Sequence, residues 1–134
     1  MPQPAGDPYG VTGIGLATIP LDRFAGIRNV ERSDQRSIGG VIENRGQVTL
    51  RPLDLTGVRR ISLNADARDG WVKAELLNEQ GYRIRGYTLE ESAELRGDSF
   101  AHALTWRGAA GLPPGRHLVR IHLYKAELFA LTLE

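Results

Sequence analysis

Arg116-His117-Leu118-Val119-Arg120-Ile121-His122-Leu123-Tyr124 is the stretch on which the fold reading turns. His117, Val119, Ile121 and Leu123 alternate with Arg116, Leu118, Arg120, His122 and Tyr124. Successive side chains leave a strand on opposite sides, so this pattern marks a strand with one buried and one wet face. Working outward, the same period recurs. Phe100, His102, Leu104 and Trp106 alternate with Ala101, Ala103 and Thr105, and Val72, Ala74 and Leu76 with Trp71, Lys73 and Glu75. Ile61, Leu63 and Ala65 alternate with Arg60, Ser62 and Asn64, and Val48, Leu50 and Pro52 with Gln47, Thr49 and Arg51.

Turn chemistry separates these runs, at Leu55-Thr56-Gly57, Arg68-Asp69-Gly70, Asn78-Glu79-Gln80-Gly81, Arg96-Gly97-Asp98 and Leu112-Pro113-Pro114-Gly115. Each carries Gly where a positive φ is cheap, or Pro or Asp where a turn begins. Short strands at this spacing predict an all-β, antiparallel two-sheet β-sandwich, jelly-roll-like, of about eight strands. Residues 1–12, rich in Pro and Gly, read as a linker, and 13–134 as the sandwich domain. Ile14, Leu16 and Ile19 open an apolar stretch stopped by Pro20, Phe24 and Ile27 suggest a second short strand, and the polar run Arg28 to Gly40 reads as a long loop. Leu89 to Leu95 is too short for a stable helix and reads as a turn or a single helical turn. Ala126 to Leu133, apolar on both faces, is either a central strand or one that packs on a neighbouring domain.

The composition narrows the function. With 134 residues the chain can bury a core without staples, and with no cysteine it has neither a disulfide framework nor a Cys metal site. A net charge of +1 is far from the basic footprint of a nucleic-acid binder, and no apolar run approaches the roughly 20 residues of a membrane span. Met1 to Pro8 lacks the basic start and apolar stretch of a secretory signal.

Few residues invite chemistry. The acidic neighbours Asp66 and Asp69 sit at an expected turn, where Asp serves the backbone, and Glu90, Glu91 and Glu94 are unremarkable in a chain with 16 acidic residues. His117 and His122, five apart in one strand, point to opposite faces, while His102 and His117 could meet across a strand pair. No nucleophile, base and orienting group assemble, so the domain itself is read as non-catalytic. Aromatics carry more. Trp71, opposite Val72, Ala74 and Leu76, is expected to be exposed and could stack on a sugar ring; burial under a loop or against a partner domain are the other readings. Tyr82 and Tyr87 flank a hairpin-like segment with Arg83 and Arg85, and Tyr124 shares the face of Arg120 and His122. Trp71, Tyr82, Tyr87, Asn64, Arg120 and Tyr124 are therefore the candidate carbohydrate-binding residues, whereas Trp106 shares the Leu104 face and reads as core. No cofactor is expected beyond a structural calcium, which needs six to eight oxygens; Asp22, Asp66, Asp69 and Asp98 are the candidate ligands.

In order along the chain, Ile14-Gly15-Leu16-Ala17-Thr18 with Leu21-Asp22-Arg23-Phe24, Gln47 to Leu53, Ile61 to Asp66, Leu76 to Gly81, Gly97-Asp98-Ser99 with Thr105-Trp106, and Ala126-Glu127-Leu128-Phe129 make a recognisable series. It resembles the C-terminal β-sandwich domains of bacterial proteins whose five-bladed propeller is similar to glycoside hydrolase families 32 and 43. The resemblance spans residues 13–134 and departs at the long loop Arg28 to Arg45, where a shorter connection is expected. It implies an accessory module of a carbohydrate-active enzyme, extracytoplasmic or secreted. Its partners would be a poly- or oligosaccharide and the adjacent catalytic domain, whose propeller holds the catalytic carboxylates. Two roles follow: a carbohydrate-binding module, or a structural domain that braces the propeller and binds no glycan. The first predicts an exposed Trp71 or Tyr82 among polar partners, the second an apolar patch on one face.

Overall fold

The computed structural model describes residues 16–29, 36–37, 40–41 and 45–134. The described residues contain no helix and nine strands: β1 (Ile27–Arg28), β2 (Arg36–Ser37), β3 (Gly40–Val41), β4 (Gly46–Thr49), β5 (Leu53–Asp54), β6 (Ile61–Leu77), β7 (Leu95–Ala103), β8 (Arg116–Tyr124) and β9 (Glu127–Leu133). β2 and β3 form a ribbon of their own, and the other seven form one antiparallel sheet of nearly barrel shape. The expected linker at 1–12, Ile14, and most of the Arg28 to Arg45 loop lie outside the described residues.

The organising element is β6, 17 residues long. Its second half pairs with β8, from Trp71↔Tyr124 to Leu77↔Leu118, and its first half with β9, from Asp66↔Glu127 to Ile61↔Leu133. The partner numbers run on from 124 to 127, so β8 and β9 lie end to end along one edge of β6. β7 takes the other edge. Beyond β8 lie β4 and β5, and beyond β9 lies β1.

Both long ribbons bend at one level. β6 slips register against β7 between Ala67 and Val72, and Lys125 between β8 and β9 has φ 46°. An added Cβ on Gly70 would lie 2.6 Å from the Tyr124 carbonyl carbon and 2.9 Å from Lys125 Cβ, so only glycine lets the ribbons touch there. The bend exchanges the inward set: Ile61, Leu63, Ala65 and Ala67 point in before it, and Val72, Ala74 and Leu76 after it. All seven share one core with Val119, Ile121, Leu123, Leu128, Leu104 and Trp106.

Two expected turns are corrected here. Arg68-Asp69-Gly70 lies inside β6 and Arg96-Gly97-Asp98 inside β7, where Gly97 has φ 83°. Gly and Asp that ordinarily reverse a chain here relieve bulges within continuous strands. A second bulge sets Phe100 and Ala101 of β7 against Asn64 alone, which turns Phe100 outward, against the expectation that it shares the Leu104 and Trp106 face. Residues 16–20 form no strand, and the second early strand shrinks to β1. The remaining turns fall as expected, and Leu89 to Leu95 is a turn leading into β7.

Among the described residues β7 pairs only with β6, yet its outer edge is blunted. Ser99 Oγ accepts the Ala101 N–H at 3.1 Å, Arg60 donates to the Ala101 carbonyl, and His102 Nε2 donates to the Gly97 carbonyl at 3.1 Å. Backbone groups occupied in this way are poor templates for a further strand.

Candidate binding faces

Both outer faces of the bent sheet carry polar networks. On the second half, the register brings Lys73, His122 and Gln47 into one row across β6, β8 and β4, and Glu75, Arg120 and Thr49 into the next. Trp71 and Tyr124 stand beside the first row with ring centroids 5.8 Å apart. Glu75 is buried, and an unpaired buried carboxylate is costly. His122 Nε2 donates to it at 3.2 Å, Arg120 Nη1 lies 3.7 Å away, and Arg120 Nε donates to Thr49 Oγ1 at 2.9 Å.

Trp71 corrects an expectation: only 8% of it is exposed. Arg45 lies 5.0 Å and Lys73 6.0 Å from its ring centroid, and Lys125 lies 5.5 Å from that of Tyr124. The predicted platform is thus roofed by the protein's own cations. Trp71 and Tyr124 are brought together, Arg120 stands two rows away beside Glu75, and the other three candidates are elsewhere. Tyr87 packs edge-on against Trp106 at 5.5 Å and its Oη donates to the Gly111 carbonyl at 2.7 Å, both structural contacts. Tyr82 is 70% exposed beside the Asn78 turn.

Asn64 belongs to the outer face of the first half. Its Nδ2 donates to the Leu21 carbonyl at 2.7 Å, and its Oδ1 accepts from Arg23 Nε at 2.9 Å. Arg23 also pairs with Asp98, and its guanidinium lies 4.7 Å from the Phe100 centroid and 4.6 Å from that of Phe129. With its side chain 10% exposed, it latches residues 20–23 across β6 and β7. Sequence reading missed Arg23, because nothing in an isolated Leu-Asp-Arg-Phe run distinguishes it from a solvated charge. Arg23→Ala would leave Asn64 Oδ1 buried without that donor and remove both ring contacts, a loss of about 2–3 kcal/mol. A urea midpoint checks this, and Arg23→Lys should recover only part, because an ammonium cannot bridge Asn64 and Asp98 while stacking on two rings.

The four candidate calcium ligands do not assemble. Among the described residues, no three His, Cys, Asp or Glu side chains form a group able to hold a metal. Asp66 and Asp98 face each other across β6 and β7, but each is engaged by arginine. The side-chain hydrogen bonds of Arg68 hold the Asp66 carboxyl below the usual carboxylate range. Asp22 shapes a turn with φ 56°, and Asp69 lines an open cleft at the bend with Arg28, Asn29, Lys125 and Glu127. Glu91 accepts from the Thr88 N–H and hydroxyl, Glu94 pairs with Arg96, and Glu90 lies 4.0 Å from Arg83. His102 and His117, which could have met, bond separate carbonyls, those of Gly97 and Gly115.

The segment that Arg23 latches is apolar on its solvent side. Leu16 is 93% exposed and Phe24 88%; Ile19, Leu21 and Ile27 are exposed too, and Phe100 joins them from β7. Single exposed apolar residues are ordinary, but six large ones around one latch are not. No protein-family model, no curated protein and no solved structure matches this chain.

Proposed function

We propose that this chain is a non-catalytic accessory domain that docks on an adjacent domain of its own polypeptide through the apolar strip at 16–27 and Phe100. The strip carries the reading: five large apolar side chains stand in solvent on a segment pinned by Arg23, and Phe100 of β7, against the Arg23 guanidinium, is a sixth. A pinned segment keeps its shape before the partner arrives, so docking loses little chain entropy. Side chains this exposed contribute little to the folded domain alone; covered by a partner, each would contribute on the order of 1.5–3 kcal/mol. Of the two roles drawn from the sequence, bracing requires an apolar patch and glycan binding an open aromatic platform. The strip supplies the patch, whereas Trp71 is roofed.

The finer architecture belongs to the same proposal. The bend in β6 and β8–β9 turns two halves of the sheet toward one core, as the jelly-roll-like sandwich would. The resemblance supports a carbohydrate-active, extracytoplasmic parent with the catalytic carboxylates in the partner domain. Glycan binding is the second reading, favoured by Tyr82, 70% exposed beside Arg83.

Leu21→Asp with Phe24→Asp tests the docking. Both side chains are exposed, so the melting temperature of the isolated domain should move by no more than a degree or two. Within the longer polypeptide the same pair should uncouple the domain, giving two separate calorimetric transitions in place of one. A single unchanged transition in the double variant would discard the strip as the docking surface.

A further inference from the structure

From residue 16 to residue 28 every residue is exposed except Arg23. The segment is bonded to the sheet by the two-residue β1, by the Leu21 carbonyl, which accepts from Asn64 Nδ2, and by the Arg23 side chain. It is held as a bound peptide is, by one buried anchor and a few backbone bonds. The anchor meets its seat group by group. Asn64 of β6 accepts from Arg23 Nε at 2.9 Å, and Asp98 of β7 pairs with Nη2. Phe129 of β9 and Phe100 of β7 bring their ring centroids to 4.6 Å and 4.7 Å from the guanidinium carbon. The bulge that turns Phe100 outward is what completes the seat. Arg68 engages the neighbouring Asp66, so among the described residues Arg23 is the ion partner of Asp98. Two rings, a carboxylate and an amide oxygen suit a flat, delocalised cation with N–H groups along its edge; a compact ammonium cannot meet all four.

We propose that Asn64, Asp98, Phe100 and Phe129 form a guanidinium-recognition cage, which Arg23 fills as a tethered ligand and which takes in exchange an arginine on an extended peptide of a partner. A segment this sparsely bonded opens locally without unfolding the core beneath it. An incoming arginine meets the same four groups, so nothing is lost at the cage, and the residues flanking it on the partner decide the balance. The tether gives Arg23 a high effective concentration, so a competing peptide has to be abundant or bind beyond the cage as well. Asp98, with Asp66 beside it, turns anionic ligands away. Exchange lifts residues 16–28 off the sheet, and the docking strip with them, which makes an arginine-bearing peptide a release signal for the docked domain. That consequence rests on the docking reading; the cage and its exchange do not.

Arg23→Ala empties the cage. In ¹H–¹⁵N spectra of that full-length variant, millimolar ethylguanidinium, far below denaturing concentrations, should shift the Asn64 side-chain amide saturably. Ethylammonium and tetramethylammonium should not, and the wild-type chain should respond to none of the three. A synthetic peptide of residues 16–28 should bind the variant about tenfold more tightly than the same peptide carrying Arg23→Ala. Should Arg23→Ala fail to fold, Arg23→Lys takes its place, because ethylguanidinium should displace the ammonium and shift Asn64 in the same way. In the wild-type chain, millimolar 16–28 peptide should speed hydrogen exchange at residues 21–28 and leave β8 unchanged. An Asn64 amide that does not respond in the variant, an equal response to the ammonium ions, or equal binding of the two peptides would overturn the cage. Exchange at residues 21–28 that ignores the peptide would overturn the displacement. Every measurement is made on this chain alone, so a failure of domain docking leaves each of these outcomes as it is.

Discussion

Trp106→Ala is expected to remove about 4–5 kcal/mol, enough to leave the domain largely unfolded at room temperature if its total stability lies at the low end for domains of this size. The indole fills the core between Leu104 and the Tyr87 ring, and its Nε1 donates to the Ala74 carbonyl at 2.9 Å. That carbonyl belongs to the second half of β6, while Trp106 itself bridges to Ser92 and the Ala93 N–H donates to the Thr105 carbonyl at 3.0 Å. The side chain thus ties the 82–95 segment to the sheet. Deleting it opens a cavity and strands a buried acceptor together. Trp106→Phe separates the two effects: it keeps most of the apolar volume and loses the hydrogen bond, so about 1–3 kcal/mol should go. Urea unfolding followed by circular dichroism reads both. Equal losses in the two variants would mean that the hydrogen bond, not the packed volume, dominates.

Gly70→Ala is expected to cost roughly 3 kcal/mol, a fall of about 10 °C in melting temperature. Its Cβ would meet backbone, the Tyr124 carbonyl, which cannot rotate aside as a flexible side chain would. Relief requires β6 and the β8–β9 ribbon to separate at their shared bend, which loosens the core on both sides of it. Gly111→Ala is the control, because nothing lies within 4 Å of a Cβ there. Differential scanning calorimetry should show a large drop for the first and almost none for the second.

Strand faces were the most legible part of the chain. Val119, Ile121 and Leu123 lie inward as their alternation requires, and so do Val72, Ala74 and Leu76. What alternation could not show was that β6 is one strand rather than two. Arg68-Asp69-Gly70 has the composition of a turn, and only the close approach of Tyr124, 54 residues later, explains its glycine. A bulge likewise inverted Phe100, since one extra residue moves every later side chain to the other face. Of the candidate site, alternation placed Tyr124 and Arg120 on one face of β8, whereas the meeting of Trp71 with Tyr124 depends on the β6–β8 register, which alternation does not carry. The covering of Trp71 depends on Arg45, 26 residues distant, and periodicity carries no information about such a contact. Arg23 was invisible for the same reason: its partners Asn64, Asp98, Phe100 and Phe129 come from three separate strands.

Hydrogen exchange on the domain alone and within the longest polypeptide its gene encodes tests the docking claim most directly. The account predicts that amides of residues 16–27 and those around Phe100 become at least tenfold better protected in the longer chain, while β8 exchanges alike in both. Identical exchange across 16–27 in the two forms, or a gene that encodes no further domain, would contradict it.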